Sequence, residues 1–444
     1  MKSRLSIREQ VGLDRDEILA MLGVMVQAQR EGEDAIQDIV AQRLAAVGFN
    51  VQTLSYDPQD VVQKDEFADP RTMVSGSRTA VIGRLGTGSG RSLIMFAHPD
   101  SEPVANADNW QHDAFAGTVA GSRMYGWGIA DDLMGVAAMV AGVEAVVRYC
   151  GAPSGEVIIA STPSKRHARG VAAVLDHGYT ADAALYIHPA ESGRGLGEIK
   201  AVTSGQLVFE IVVPGRRPDT SEPGHAAFAH LAVNPLEKAQ LVLGALAELD
   251  VRRGSRVRYP ALDEAIGRST NIMVTAILCG YDKSLTQLSD NCKLAGAISF
   301  PPSESMDDVM LEVEDHLKTA FKQDEWLRVQ PPRLSWLSGT SGAAVGKDHD
   351  FYRLVADAIA DVTGRLPEVN ALHTSSDIRV PRVQADIPTL GIGSLAGNLT
   401  QTGCTDEWVD LDDFMNLVAA IASIVVEWCG KGTAPSDHED LATS

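Results

Sequence analysis

A buried strand that ends in a charged loop is the feature that most constrains the fold of this chain. Residues 93–97 read Leu-Ile-Met-Phe-Ala, an apolar run typical of a strand covered on both faces, and His98 and Asp100 follow directly. Further along, Asp131 and Asp132 precede a helix of small apolar residues, predicted over 136–147. In an open α/β sheet, ligands bind beyond the carboxyl ends of the strands. A histidine and separated aspartates there predict a metal centre, in which Asp100 orients His98 and Asp131 is a ligand.

The elements around this segment alternate between strand and helix. Apolar runs predict strands at residues 51–54, 79–85, 156–161, 183–187 and 389–392, and helical periodicity is found within 15–47, 166–175, 351–362 and 411–428. The glycine-rich stretch at 86–90 predicts a hairpin between the strands on either side of it. This alternation predicts an α/β fold with a mostly parallel sheet covered by helices.

A segment of different texture interrupts this pattern. Residues 207–213 alternate as in a half-buried strand, an amphipathic helix follows at 234–249, and strands at 271–279 and 293–300 precede a helix at 307–321. The β-α-β-β-α order is typical of a ferredoxin-like α+β sandwich. We therefore predict a catalytic domain in two parts, 1–204 and 332–444, interrupted by a smaller domain at 205–331.

Composition limits the partners and the compartment. The 444 residues exceed what one core usually supports, and 38 basic against 59 acidic side chains give a net charge of −21. That charge argues against nucleic acid and anionic membranes as partners. Five cysteines without a CxxC pair predict no disulfide framework, and the N-terminus has no apolar signal region. Because no apolar run approaches the roughly 20 residues that span a bilayer, we predict a cytoplasmic protein without membrane contact.

Several motifs, in this order along the chain, resemble the M20 metallopeptidase and aminoacylase family. They are His98-Pro99-Asp100, Trp110 to Phe115, Tyr125-Gly126-Trp127-Gly128, Ala130-Asp131-Asp132, Gly224-His225 with Asn234-Pro235, Ser376-Asp377, Ile387-Pro388 and Gly391-Ile392-Gly393. The resemblance implies a catalytic α/β domain interrupted by a dimerisation (lid) domain, a homodimer or higher homo-oligomer, and two zinc-like ions that serve amide hydrolysis. It also implies that His225 is lent to the partner's active site to polarise the substrate.

The resemblance carries over a complete ligand set for one ion. His98 and Asp131 match the family's first histidine and bridging carboxylate, and Asp100 matches the aspartate that orients the histidine. His188 stands at the third ligand position, after the predicted strand at 183–187. The predicted metal ligands are therefore His98, Asp131 and His188, with Glu191 as an alternative to His188 and Asp132, otherwise a helix cap, as an alternative to Asp131.

The positions specific to the second ion are changed. Where the family has paired glutamates, a general base and a ligand, this chain has Lys165 and Arg166. Where the family has a histidine four residues before a glutamate, Gly403 precedes Glu407. The neighbouring Cys404 is predicted to be a buried spectator thiol, with a soft metal ligand as the alternative. Two cations in place of two carboxylates would repel a second dication. We predict one divalent transition metal per active site, and a hard, thiol-free ligand set favours Mn over Fe, Co or Zn.

Four side chains are predicted to contact a small-molecule substrate. Lys165 and Arg166 would hold an anionic group, because cations are disfavoured at a helix start, although a solvated helix start is the alternative. His373 and Arg379 lie in a predicted active-site loop, where they contact substrate or else pair with the acidic surface. For His225 the alternative to a catalytic role is a surface-loop histidine.

The missing base glutamate predicts a substrate whose amine can leave with less assistance from a proton-transfer group. This departure resembles the family branch that converts 5-nitroanthranilate to 5-nitrosalicylate and ammonia, and hydrolytic deamination of 5-nitroanthranilate by a metal-activated water is the leading hypothesis. One alternative is an M20-type aminoacylase or dipeptidase that recruits another base, such as His167 or His225. A second is a catalytically dead M20-like binding protein. Retention of His98, Asp100 and Asp131 argues against the second, because buried charged groups are costly without a role.

Overall fold

The computed structural model describes residues 6–69, 73–104, 106–188, 192–281, 283–285, 287–371, 373–374 and 377–430. Within these residues the strands are β1 (Asn50–Tyr56), β2 (Glu66–Ala68), β3 (Arg78–Gly86), β4 (Ser92–Ala97), β5 (Thr118–Ala120), β6 (Arg123–Tyr125), β7 (Glu156–Ser161), β8 (Ala183–Ile187), β9 (Glu198–Lys200), β10 (Val202–Pro214), β11 (Asn271–Cys279), β12 (Asn291–Phe300), β13 (Arg333–Thr340), β14 (Ala343–Ala344), β15 (Glu368–Asn370), β16 (His373–Thr374), β17 (Thr389–Ile392), β18 (Ala396–Gly397) and β19 (Trp408–Asp410).

The α-helices lie between these strands, mostly where the apolar periodicity predicts them. They are α1 (Ile7–Leu13), α2 (Arg15–Ala28), α3 (Glu33–Ala46), α4 (Met134–Cys150), α5 (Gly170–Asp176), α6 (Pro235–Arg256), α7 (Pro260–Ile266), α8 (Met306–Phe321), α9 (Glu325–Val329), α10 (Asp350–Thr363), α11 (Arg379–Ala385) and α12 (Leu411–Cys429). The helix predicted at 166–175 begins later, at Gly170, because a short 3-10 turn, Lys165–His167, precedes it.

The larger sheet runs in the order β1-β3-β7-β4-β8-β17-β9-β15 within the described chain. Its central strands β7, β4, β8 and β17 are parallel, whereas β1, β3 and β7 pair antiparallel at one side. The sequence prediction of a helix-covered α/β sheet is confirmed. The predicted hairpin at 86–90 is wrong, because β7 lies between the two strands that this stretch connects.

Helices cover both faces of the larger sheet. Alternate residues of β4 point to opposite faces, so Leu93 and Met95 join a core with α4, α10 and α12, while Ile94 and Phe96 join a core with α5. Gly142 of α4 permits a close approach to α12, because a Cβ there would lie 2.5 Å from the Ile421 side chain. The strand that carries His98 is therefore buried on both sides, which fixes its carboxyl end.

A second sheet has its own core. Its order is β11-β12-β10-β13-β2, and β14 and β16 also pair with β10. Alternate residues of β10 pack with α6 and α8 in a separate hydrophobic cluster, as the amphipathic pattern predicts. This α+β unit matches the texture of the predicted insert, although β13 and the early strand β2 lie outside 205–331. The domain boundaries themselves stay a prediction.

One helix of the described chain, counted over Ile129–Cys150, is long and apolar enough to cross a membrane by length and composition. Glu144 and Arg148 interrupt the apolar residues of this helix. In the structure 78% of the apolar window is buried inside the protein, where α4 packs against α12. This burial is typical of a core helix.

Candidate metal centre and active-site cavity

Three predicted ligands meet at the carboxyl end of the larger sheet. His98 follows β4, His188 follows β8, and the parallel pairing of these strands places the two residues side by side. Asp131 lies in the loop before α4, and one ligand atom from each of the three residues lies within 4.8 Å of the others. The structure therefore brings together His98, Asp131 and His188, as the sequence predicts, and their binding of a metal stays a prediction.

The carboxylate of Asp131 fits a cation at this point. Asp131 is buried, and its Oδ1 accepts no hydrogen bond from the described residues, although it lies 3.0 Å from His98 Nε2. A buried carboxylate oxygen without a donor is costly, and a divalent ion shared with the two imidazoles would satisfy it. The donor set of two imidazoles and one carboxylate therefore suits one divalent transition metal.

Asp100 holds His98 in place and also anchors the neighbouring loop. His98 Nδ1 lies 2.9 Å from the Asp100 carbonyl oxygen and 3.4 Å from its Oδ1. A proton on Nδ1 donates to this residue and leaves Nε2 available to a cation. The Asp100 carboxylate also accepts the backbone N–H groups of Ser164 and Lys165, each at 2.8 Å. Asp100 thus links the ligand strand to the loop after β7.

Lys165 stands where the family resemblance places a glutamate. Its Nζ donates to Asp131 Oδ2, on the other side of the carboxylate from His98, and the side chain is 13% exposed. Burial lowers the pKa of Lys165, but the charge of Asp131 outweighs burial and leaves that pKa raised. An ammonium group therefore occupies the oxygen through which Asp131 would bridge to a second ion.

Two buried charged residues support this centre and were not singled out as site residues by the sequence. Lys200 Nζ lies 2.9 Å from His188 Nδ1, and Glu407 accepts the backbone N–H groups of Ala130 and Asp131 at 2.8 and 3.1 Å. Both side chains are almost fully buried. Burial and the charge of Asp131 raise the pKa of Glu407 to about 7, against the effect of its backbone donors. Glu407 lies 277 residues after Ala130 in the chain and Lys200 only 12 after His188, and no motif in the sequence reports either contact.

The loop before α4 needs glycine at one point. Gly128 has φ +70, and a Cβ there would lie 2.1 Å from Ser101 Oγ. The next turns place Asp131 and the buried Asp132, which are joined by a cis peptide bond. Asp132 Oδ2 accepts the His98 backbone N–H at 3.3 Å, and the following helix has no side-chain cap. Asp132 therefore supports the His98 backbone. The alternative that Asp132 caps α4 is wrong.

A cavity of about 500 Å³ opens beside the three ligands. Its walls come from the end of the larger sheet, from the 164–169 loop and from β13 of the second sheet. Most of the described residues that line the cavity are charged or polar: Gln63, Glu66, His98, Asp131, Ser164, Lys165, Arg166, His167, Arg169, His188, Gln206, Ser338, Thr340, Asp377, Arg379 and Gln401. A cavity of this size and polarity suits a small, charged compound.

Arg379 lines this cavity as part of a buried ion cluster. Its guanidinium pairs with Glu66, and Arg169 Nε lies 3.7 Å from the same carboxylate. Arg379 Nη1 is buried without a hydrogen-bond partner among the described residues. Burial lowers the pKa of Arg379 to about 10, so it remains a cation at neutral pH. The charge of Asp65 also acts on Arg379, so the feature of the cluster that favours an anionic ligand is the Nη1 donor, which no described residue occupies.

The remaining predicted site residues lie in different surroundings. Arg166 reaches the cavity wall, but its side chain is 53% exposed and lies 3.9 Å from Glu102. His225 is exposed in the second unit and does not line the cavity of its own chain, so its predicted role needs a second copy. Cys404 is exposed, which corrects the predicted buried thiol. Glu191 and Ser376 lie outside the described residues, and so does the side chain of His373.

The charges around His98 balance in favour of a cation. Burial and the Lys165 ammonium lower the pKa of His98, but the adjacent carboxylates of Asp100 and Asp131 raise it to about 10. Burial raises the pKa of Asp131, but Lys165 and His98 hold it well below the ordinary aspartate value. A metal ion at His98 would therefore displace a proton, which makes metal binding pH-dependent.

Known proteins and a family model match this chain over most of its length. The family model for peptidase family M20/M25/M40 matches residues 94–427. An N-formyl-4-amino-5-aminomethyl-2-methylpyrimidine deformylase from Halalkalibacterium halodurans is 24% identical, over 96% of this chain and 98% of its own length. A succinyl-diaminopimelate desuccinylase from Rhodopseudomonas palustris is 27% identical, over 77% of this chain and 81% of its own length.

Solved structures share the fold. An M20 family metallo-carboxypeptidase from Sulfolobus solfataricus superposes with a TM-score of 0.66 at 13% identity, covering 92% of this chain and 98% of that protein. The matched relatives are hydrolases, which favours an enzyme over the binding-protein alternative. The chain belongs to peptidase family M20/M25/M40 and is a metal-dependent hydrolase.

Proposed function

We propose that this enzyme hydrolyses a C–N bond of a small, negatively charged substrate with one divalent metal ion per active site. The observation that carries the proposal is the Lys165 ammonium on Asp131 Oδ2. With a cation already on that oxygen and no carboxylate at positions 165 and 166, a second dication has lost its ligands and meets repulsion. His98, Asp131 and His188 would hold the remaining ion, with Mn favoured over Fe, Co or Zn.

The residues of the chain divide the work between the ion and the substrate. An ion held by His98, Asp131 and His188 would lower the pKa of water and polarise the group under attack. Asp100 keeps the His98 ring in the ligating orientation. Arg379, whose Nη1 has no partner in the described part of the chain, binds a carboxylate or nitro group in the cavity, assisted by Arg166. His373 completes the predicted substrate contacts.

The leading substrate is 5-nitroanthranilate, which would give 5-nitrosalicylate and ammonia. The chain has no glutamate at the family's base position, so a substrate that activates itself is favoured. A nitro group stabilises the negative charge that develops when water attacks the ring, and the carboxylate matches the cationic wall of the cavity.

Amide hydrolysis is the second candidate, favoured by the relatives. The deformylase and the desuccinylase both act, by their names, on N-acyl compounds, and the former matches nearly the whole chain. An N-formyl or N-succinyl amine with an acidic group would fit the same cavity. This candidate needs a proton-transfer group in place of the missing glutamate, because an alkyl amine is a poor leaving group until it is protonated.

One experiment separates the candidates. The purified protein is loaded with Mn, its metal content is measured, and ammonia release from 5-nitroanthranilate is compared with amine release from N-formyl and N-succinyl amines. His188→Ala serves as the matched ligand variant. About one ion per chain with ammonia release supports the leading proposal; amine release alone replaces it with the amide hydrolase. Two ions per chain in the native protein would refute the one-ion proposal.

We also propose that the enzyme is a homodimer joined along β11. This strand is the edge of the second sheet, and its side chains Met273, Ile277 and Leu278 are 59, 49 and 63% exposed. An exposed apolar edge strand is a favourable surface for pairing with a second copy. Such a dimer is the context in which His225 would reach a neighbouring active site. The five cysteines are free thiols, which supports the proposed cytoplasmic location.

A further inference from the structure

The proposed reaction needs a group that moves protons, and the residue at the family's base position cannot do so. Water must lose a proton as it attacks, and the leaving nitrogen must gain one. Lys165 already carries its full complement of protons and is bound to Asp131. The proton-transfer group must therefore be sought elsewhere in the cavity wall.

Three carboxylates line the described cavity wall, and two of them are engaged with cations. Glu66 is paired with Arg379 and lies near Arg169. Asp131 is bound by Lys165 and faces His98. Asp377 is different, because no salt bridge from the described residues reaches it, and it accepts a hydrogen bond from Ser164 Oγ at 2.5 Å. Asp377 is thus the carboxylate of this wall that remains free to take up a proton.

The position of Asp377 is fixed relative to the metal ligands. Ser164, which donates to Asp377, also donates its backbone N–H to Asp100 at 2.8 Å. Asp100 in turn holds the His98 ring. Asp377 therefore lies at the end of a short hydrogen-bonded chain, Asp377–Ser164–Asp100–His98, and borders the same cavity as the ligands. It is only half-buried, so part of it is open to the cavity.

The geometry points to Asp377 as the general base and general acid of this enzyme, an assignment that rests on the proposed function. The Asp377 carboxylate takes one proton from the attacking water, whose oxygen forms the new bond to the carbon. The same proton then passes to the leaving nitrogen as the C–N bond breaks. For an aminoarene the products are the hydroxyarene and ammonia, and for an amide they are the acid and the amine, so protons and electrons balance in both.

The surroundings of Asp377 suit this role better than those of His167. Burial raises the pKa of Asp377 from its ordinary value, against the hydrogen bond from Ser164 and the charge of His98, which brings it closer to neutral pH. The other titratable groups near it are Asp100, His167, Tyr56 and Tyr186. His167 also lines the cavity, but burial and the charge of Arg169 lower its pKa. Geometry favours Asp377, because the hydrogen bond from Ser164 fixes its carboxylate relative to Asp100 and the ligand His98.

The test compares Asp377→Asn with His167→Asn and with Asp386→Asn, an exposed aspartate at the end of α11 that pairs with Arg382. Metal content, KM, kcat and the pH dependence of kcat/KM are measured with whichever of 5-nitroanthranilate and an N-formyl amine the native Mn enzyme cleaves. We expect Asp377→Asn to lower kcat by about 10²–10⁴-fold, with metal content and KM within about threefold of native. The fall in kcat/KM at low pH (the acidic limb) should disappear in this variant. Asp386→Asn stays native.

A second variant keeps the test informative if Asp377→Asn does not fold. Ser164→Ala removes the hydrogen bond that lowers the pKa of Asp377, so the acidic limb moves to higher pH while metal content stays native. The assignment of Asp377 is overturned if the native enzyme is active but its acidic limb does not move in Ser164→Ala and persists in Asp377→Asn. It is also overturned if the acidic limb is lost only in His167→Asn; in both cases the proposed function stands. A native enzyme that binds metal but cleaves neither substrate overturns the proposed function, and this assignment with it.

Discussion

The two halves of the active site differ in how the fold holds them. The ligand half, His98 and His188, sits at the ends of neighbouring parallel strands that are covered on both faces. The opposite half lies on the loop after β7, where Arg166, His167 and Arg169 adopt positive φ values of 53, 57 and 54. Non-glycine residues rarely adopt this conformation, and they persist there only when surrounding contacts require it.

This difference shows where the chemistry of the site can change without loss of the fold. A residue at the end of a buried strand is placed by the sheet, so its replacement disturbs only its own contacts. A loop residue such as Lys165 is placed by hydrogen bonds, here from its backbone N–H to Asp100. Because Asp100 accepts hydrogen bonds from the backbone of residues 164 and 165, their side chains can be replaced without a change in the loop conformation.

The largest expected effect comes from the ligand half. His98→Ala should leave the protein folded but almost free of metal, since two ligands do not hold a divalent ion in this geometry. Activity should fall by more than the roughly 10- to 100-fold loss typical of outer contacts to a metal ligand. Metal analysis and activity are measured together, with the exposed His230→Ala as control. Full metal content in His98→Ala would place the ion elsewhere.

The second prediction converts the loop half. Lys165→Glu with Arg166→Glu restores two carboxylates beside Asp131 Oδ2, so a second, weaker ion should bind and the metal content should rise from about one toward two per chain. Lys165→Gln with Arg166→Gln removes the same charges without adding ligands and should remain at one. Titration calorimetry with Mn gives both counts. Equal counts in the two double variants would show that Lys165 does not set the stoichiometry.

The sequence predicted the ligand half better than the loop half, for a physical reason. Strand β4, Asp100 and the loop before α4 follow from apolar runs and local spacing, and the structure brings His98, Asp131 and His188 together as expected. The contacts of Glu407 join distant segments, and Lys200 reaches His188 from a different strand, β9. Glu66 reaches the cavity only because β2 pairs with β13 of the second sheet. Such pairings depend on tertiary packing, so residue spacing alone does not reveal them.

A smaller effect is expected at the anion-binding wall. Arg379→Gln should raise KM for an acidic substrate by about 10- to 100-fold with a lesser change in kcat, because one charged hydrogen bond is worth about 1.5–3 kcal/mol. Metal content should not change, which distinguishes this wall from the ligand half. The exposed Arg382→Gln is the matched control. An unchanged KM would mean that Glu66 already satisfies Arg379 fully.

The smallest effect concerns the support behind Asp100. Arg78 lies 3.1 Å from Glu33 and 3.8 Å from Asp100, and burial followed by the charge of Asp100 raises the pKa of Glu33 to about 7. In the unfolded chain Glu33 loses its proton near its ordinary pKa of 4.5, whereas in the folded chain it keeps the proton up to a pH of about 7. Between these values the unfolded state binds fewer protons, so the free energy of unfolding should fall as pH rises.

Glu33→Gln should remove this contribution while keeping an acceptor for Arg78. Urea unfolding of the metal-free protein at pH 5 and pH 7.5 should therefore show a decline in stability that is about 1–2 kcal/mol smaller in the variant than in the native protein, since solvent screens part of the full effect. Glu31→Gln, an exposed neighbour, should keep the native decline. Equal slopes for Glu33→Gln and native protein would show that Glu33 is already ionised at pH 5, and that the ligand half gains its support from Arg78 as a plain ion pair.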